Sequence, residues 1–424
     1  MAYRFIWLSI LSLSANLASV APILAASLER ATPEDVGFSS ARLERLDRAL
    51  QSYIDDHELA GTVTLVARND KILYLKAFGQ SDREATSPMR EDSIFRIASQ
   101  TKAIVSVGIM TLVEEGSLLL TDSVGNFIPE FFDTTVAVPL EVGSYDIVPA
   151  SRPITIRDLL THTSGIGYGY GLGADAWEAA GIQGWYFADR TEPIGETVVR
   201  MASLPAEAQP GERWVYGYNI DILGALAERV SGQSLDEFLS ERILIPLGMS
   251  DTHFYLPPSK KDRLAVVYSE QSGELVRASD PGDGVGQGHY LDGPRTSFSG
   301  GAGLLSTATD YARFLQMLLN GGELDGIRIL SPKTVELMTT NHVGDLQRRP
   351  GEGFGLGFSV LEDLGARGFH GSEGEYRWGG AYHSMYWVDP AEDLLVVHLT
   401  QLIPAGDVDD QAKVRALIYQ AIVN

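Results

Sequence analysis

The chain contains no cysteine, which removes a thiol nucleophile, a disulfide framework and any thiolate metal site at once. It has no H-E-x-x-H, and none of its 8 histidines pair at i, i+4, so a helical zinc site is not expected. No serine stands in G-x-S-x-G; the nearest approach is His370-Gly371-Ser372-Glu373-Gly374, which leaves the nucleophile elbow of an α/β-hydrolase unsupported. The runs Gly165 to Gly169, Gly282 to Gly288 and Gly351 to Gly357 lack G-x-G-x-x-G spacing and open no helix, so they read as loops and not as phosphate cradles. Positive charge is scarce as well. Lys+Arg 33 against Asp+Glu 56 gives a formal charge of −23, a field that repels nucleic acid and anionic membranes alike.

Long apolar runs are also missing, with one partial exception at the start. Met1 to Arg4 carries one positive charge, Phe5 to about Leu17 is mostly apolar, and small residues follow through Ala21 and Ala25-Ala26. The pattern predicts a cleavable signal peptide over 1–26 and hence a periplasmic or secreted protein. Ser9, Ser12, Ser14 and Asn16 interrupt the run, so a stable membrane span is not expected against the ~20 apolar residues it would need.

What is present is ordinary globular composition, 44% hydrophobic over 424 residues, enough for one large domain or two. Leu43, Leu46, Leu50, Tyr53 and Ile54 recur at helical spacing behind Ser39 and Ser40. Thr62 to Ala67 and Ile72 to Phe78 read as strands joined at Asn69-Asp70; Phe358 to Leu361, Ala381 to Val388 and Leu394 to Leu399 read as strands near the other end, before a last helix over 408–423. The middle carries helix and loop signals and little strand. We therefore expect an α/β (α+β) fold: an antiparallel sheet flanked by N- and C-terminal helices, contributed by 27–104 and 301–424, with a mostly helical insertion over 105–300 and the site between them.

The stretch with chemical content is Ile94 to Ile104. A helix beginning near Ala98 puts Ser99 in its first turn and Lys102 one turn on, sharing a face. A serine hydroxyl needs a base, and a lysine three residues away can serve only if kept neutral. That is a bias of about 4 kcal/mol against its ordinary charged form. S-x-x-K alone is weak, since about half a match is expected by chance in such a chain. Two other stretches add weight. Pro210 to Gly224 places Tyr216 where a turn leads into a helix, so its phenol can act as a shared base. Trp378-Gly379-Gly380-Ala381 joins two glycines to a strand, where a backbone can approach a ligand and donate N–H groups. The aromatic segment 164–190, including Tyr168, is either a substrate pocket or packing for a long loop. His162 reads as structural.

Ser99-x-x-Lys102, Tyr216 within Pro-Gly-x-x-Trp-x-Tyr-Gly, and Trp378-Gly379-Gly380 together resemble the class C β-lactamase and penicillin-binding-protein superfamily of serine hydrolases, with the family VIII carboxylesterases as the nearest branch. Supporting blocks follow in order: Leu159 to Gly165, Ile245 to Met249 and Gly300 to Thr307. The resemblance implies an acyl-enzyme mechanism: Ser99 as nucleophile, Lys102 and Tyr216 as coupled acid and base, and the backbone N–H groups of Ser99 and Ala381 as the oxyanion hole. It implies no cofactor and no metal. Trp378, Gly379, Gly380, Tyr168 and Tyr218 are the residues expected to bind substrate, a small-molecule ester or amide.

The chain departs from that pattern twice. Lys-Thr-Gly of the β-lactamases is here Trp378-Gly379-Gly380, and Tyr-x-Asn is Tyr216-Gly217-Tyr218, with Asn219 one place late. Each lost charge-assisted contact to a substrate carboxylate is worth roughly 1.5 to 3 kcal/mol. The expectation is a carboxylesterase acting on small or medium uncharged acyl esters. The alternatives are a β-lactamase, a D-Ala-D-Ala or D-amino-acid peptidase, an acyltransferase, and a non-catalytic binding module.

Overall fold

A computed structural model describes residues 28–141 and 144–424; the expected signal peptide lies outside the described residues. The main sheet contains β1 (Glu29–Arg30), β2 (Gly61–Arg68), β3 (Lys71–Asp82), β4 (Glu352–Phe354), β5 (Ser359–Leu361), β6 (Tyr376–Gly380), β7 (Ser384–Asp389) and β8 (Leu394–Leu399). Their spatial order is β1-β3-β2-β8-β7-β6-β5-β4, with Ser87–Pro88 added against β3. Every pair is antiparallel except β1 with β3. Asn69 and Asp70, both at left-handed φ, close the β2–β3 hairpin where the sequence placed its turn.

Alternation buries this sheet on both faces. Along β8, Leu394 and Val396 pack with α1 (Ser40–Asp55) and the C-terminal helix, while Leu395, Val397 and Leu399 join the larger core on the other side. Each such side chain contributes about 1.5 to 3 kcal/mol of transfer free energy. The first face is closed by α1 and the last helix, α5 (Asp410–Tyr419). The second is covered by α2 (Thr101–Glu114), α3 (Asn219–Ser231) and α4 (Ala308–Leu319).

Helix α2 is buried all round from Thr101 to Leu112, as an apolar helix through a large core must be. The expected division at 104/105 passes through it, and residues on both sides share one hydrophobic cluster. The middle also contains two small hairpins, Thr135–Pro139 with Tyr145–Pro149 and Tyr268–Gln271 with Glu274–Arg277, where little strand was expected. A correction concerns the strand expected over 381–388. Tyr376–Gly380 is a strand of its own, so the glycines close β6, and 381–383 turns the chain into β7.

Candidate active site

Ser99 sits in a single 3₁₀ turn, Ala98–Gln100, that runs directly into α2. Ala98 ahead of it is buried with φ +42°, a left-handed conformation that costs an L-residue roughly 1 to 2 kcal/mol. The surrounding packing holds it there, against Tyr382 and Ala302. One turn on, Lys102 is 2% exposed. Its Nζ donates to Ser99 Oγ at 3.3 Å, Tyr168 OH at 3.0 Å and Gly301 O at 2.6 Å. All three acceptors are neutral, and among the described residues Lys102 forms no ion pair.

Tyr216 stacks on Trp214 and lies 4.7 Å from the His162 ring, centroid to centroid. Lys102 Nζ stands 4.6 Å from its ring centre, over the face and not at the hydroxyl. That hydroxyl accepts a hydrogen bond from Trp378 Nε1 at 3.0 Å. Burial, then Tyr216, raises the Tyr168 hydroxyl well above the ordinary phenol range, so it stays protonated. Burial, then Lys102, drives His162 well below the usual imidazole range. Asn219 Nδ2 lies 2.9 Å from its Nδ1, within hydrogen-bond distance.

Strand β6 brings the third element into place. A Cβ on Gly380 would lie 2.4 Å from Ile97 O, so only glycine lets this strand close on the backbone leading to Ser99. Ser99, Tyr168, Tyr216, Trp378, Gly379, Gly380 and Ala381 line one open cleft of about 520 Å³, within the range of small-molecule sites. Trp185, from the aromatic segment, lines it too.

Tyr218 does not reach this cleft, contrary to expectation. It is fully buried, stacked 5.5 Å from Trp177, and its hydroxyl donates to Tyr168 O. Its neighbour Asn219 is spent on structure: besides His162 it donates to Ile166 O and Val215 O and accepts from Ser164 Oγ, locking the loop that carries Tyr168.

The structure adds residues that the sequence reading passed over. Gly301 O accepts from Lys102, the following Ala302 N–H donates to Ser299 Oγ, and Ser299 donates to fully buried Asp221. Burial raises the Asp221 carboxyl, against the pull of Lys102 and its two hydrogen bonds. A lone carboxylate in Ile220-Asp221-Ile222-Leu223, at the start of an apolar helix, was the available signal. His383, Arg349, Arg377 and Arg415 also line the cleft. They come from four separate segments, and nothing local marks them.

A site of this kind can transfer an acyl group: a hydroxyl beside a buried amine, a phenol within reach, and backbone at a strand end. Comparison with known proteins agrees. The sequence model of the Beta-lactamase family matches residues 46–420. Esterase EstB of Burkholderia gladioli is 36% identical over 399 residues, 90% of this chain and 95% of that protein. Lovastatin esterase of Penicillium rubens is 28% identical over 402 residues, 87% of this chain and 96% of that protein. Among solved structures, EstCE1, described as a hydrolase with promiscuous acyltransferase activity, superposes with a TM-score of 0.79 at 29% identity, covering 89% of this chain and 98% of its own.

Proposed function

This chain belongs to the Beta-lactamase family, and from that premise we propose that it works as a serine carboxylesterase whose nucleophile is Ser99. The observation that carries the assignment of residues is the buried Lys102 amine 3.3 Å from Ser99 Oγ. Lys102 and Tyr216 act together as the base. As Ser99 Oγ attacks the ester carbonyl, its proton passes to this pair, and the new alkoxide is stabilised by the N–H groups of Ser99 and Ala381. Collapse expels the alcohol, which takes the proton back through Tyr216. Water then attacks the acyl-enzyme by the same route, and a second alcohol in its place gives acyl transfer, the activity named for EstCE1. Trp378 and the two glycines, standing where β-lactamases carry Lys-Thr-Gly, favour an uncharged acyl group. Tyr168 holds Lys102 in place and faces the substrate. We place the protein outside the cytoplasm, exported by its 1–26 segment.

The test is hydrolysis of 4-nitrophenyl acetate and butyrate by the purified chain and by Ser99→Ala. Wild type should turn over both esters, and the variant should lose about 10³-fold or more of kcat. Equal rates for the two proteins would end the assignment. A chromogenic cephalosporin run in parallel should be cleaved far more slowly than either ester.

A further inference from the structure

Two histidines share one carboxylate at an end of the cleft that the mechanism above does not use. Asp410, the first residue of α5, is fully buried, with His383 Nε2 at 2.5 Å from one oxygen and His398 Nε2 at 2.9 Å from the other. Burial works against its charge, but the hydrogen bonds from the two rings outweigh it and hold the carboxyl well below the usual carboxylate range. An ionised carboxylate only accepts, so both Nε2 atoms carry protons. His398 Nδ1 then accepts from Thr64 Oγ1 at 2.8 Å.

Of the four ring nitrogens, His383 Nδ1 alone has no partner among the described residues. Nor is this atom sealed from solvent: the His383 side chain is 16% exposed and lines the catalytic cleft. A neutral imidazole pinned in this way presents the cleft with a lone pair. Its backbone is fixed as well. His383 has φ +60°, and its carbonyl accepts from Thr400 Oγ1 at 2.6 Å.

The course of the chain decides which part of a substrate meets that lone pair. On the serine-hydrolase reading above, the leaving alcohol lies against Tyr216, which Trp378 contacts, and the carbonyl oxygen lies at the Ala381 N–H. Trp378 to Ala381 runs through the end of β6, and His383 is two residues further on. A substrate that follows this order lays its acyl portion beside His383. Trp185 stands at the same end, edge-on to Tyr382 at 5.7 Å, and gives the acyl chain an apolar wall. We propose that His383, held by Asp410, selects the acyl group by accepting a hydrogen bond from it at Nδ1, and that the preferred substrates are esters of short hydroxy acids. The proposal rests on that reading and deepens it, since the acyl group it favours is uncharged but carries one hydroxyl donor.

The test compares ethyl butyrate with ethyl 2-hydroxybutyrate and ethyl 3-hydroxybutyrate, each kcat/KM divided by that ester's rate of alkaline hydrolysis to remove inductive activation. The full chain should favour at least one hydroxy ester by roughly threefold to tenfold, the range for one neutral hydrogen bond. Two substitutions separate the acceptor from its support. His383→Gln reaches Asp410 with an amide N–H in place of Nε2 but offers nothing at Nδ1, and should bring the ratio to about one. His383→Asn puts an amide oxygen near the place of Nδ1, tolerates the left-handed φ, and should keep part of the ratio. No preference for either hydroxy ester in the wild type overturns the selection and leaves the hydrolase standing. A preference that survives His383→Gln unchanged overturns it equally. If no ester is hydrolysed faster by wild type than by Ser99→Ala, the hydrolase reading falls and the acyl selection with it.

Discussion

Lys102 and Arg415 are both buried basic side chains, 2% and 6% exposed, placed on opposite faces of the same sheet beside the same cleft. Arg415 sits on a carboxylate, with two nitrogens on the two oxygens of Glu375 and a third hydrogen bond to His370 O. Lys102 ends on a hydroxyl, a phenol and a peptide carbonyl. The nearest carboxylate its hydrogen bonds lead to, Asp221, is reached through Gly301, whose carbonyl accepts from Lys102 and whose N–H donates to Asp221 Oδ1 at 3.0 Å. The first arrangement fixes charge, because a paired guanidinium has no reason to change state. The second satisfies hydrogen bonds while withholding a counter-charge, which is what an amine that must trade a proton with a neighbouring hydroxyl requires.

The difference should show as opposite responses to removing one ionisable group from each face. Lys102→Met is the larger perturbation of function: with the amine gone, Ser99 loses its proton acceptor, and kcat should fall by about 10³ or more, or at least ~4 kcal/mol of barrier. The same change replaces a buried amine that has no ion-pair partner with an apolar side chain of similar length, so the fold should become more stable, by about 1 kcal/mol, the usual trade at a strained catalytic site. Glu375→Gln should do the reverse. It strands Arg415, and breaking a buried pair costs about 3 kcal/mol or more. The loss should appear as a lower denaturant midpoint, with a far smaller fall in turnover than Lys102→Met gives. If both variants lose stability alike, the contrast between the two basic side chains is wrong.

Much of this was readable beforehand, because the informative features are local. Ser99 and Lys102 are one helical turn apart; the β2–β3 and β7–β8 hairpins are carried by period-two alternation and by their turns. The strand expected from Ala381 was misplaced because Tyr376–Gly380 has a buried tyrosine, an arginine, a tryptophan and two glycines, which give no alternating signal. Its pairing with β7 decides it. Tyr218 was misassigned for a related reason: an aromatic beside a catalytic motif reads the same whether it faces a cleft or stacks on a distant Trp177. The arginine cluster was invisible because Arg349, Arg377 and Arg415 meet only through the order β5-β6-β7 and the return of α5 across the sheet. The left-handed Ala98 has no sequence mark, since alanine, unlike glycine or asparagine, does not favour that conformation.

The smallest of these effects bears on how the two sides of the cleft are joined. Trp378 stands between them, donating from Nε1 to Tyr216 OH while Arg349 covers its ring. Trp378→Phe keeps an aromatic among Trp214, Tyr216 and Phe354 but deletes the donor. One neutral hydrogen bond is worth about 1 kcal/mol, so the loss in kcat/KM should be roughly fivefold to tenfold. Its dependence on the leaving group carries the information. 4-Nitrophenolate departs without a proton, whereas an alkoxide from an alkyl ester must receive one. If Trp378 positions Tyr216 as proton donor, the variant should be impaired several-fold more on ethyl or butyl esters than on 4-nitrophenyl esters of the same acid. Equal impairment on both would make Trp378 a packing residue and leave Tyr216 to be oriented by Trp214, His162 and Tyr168.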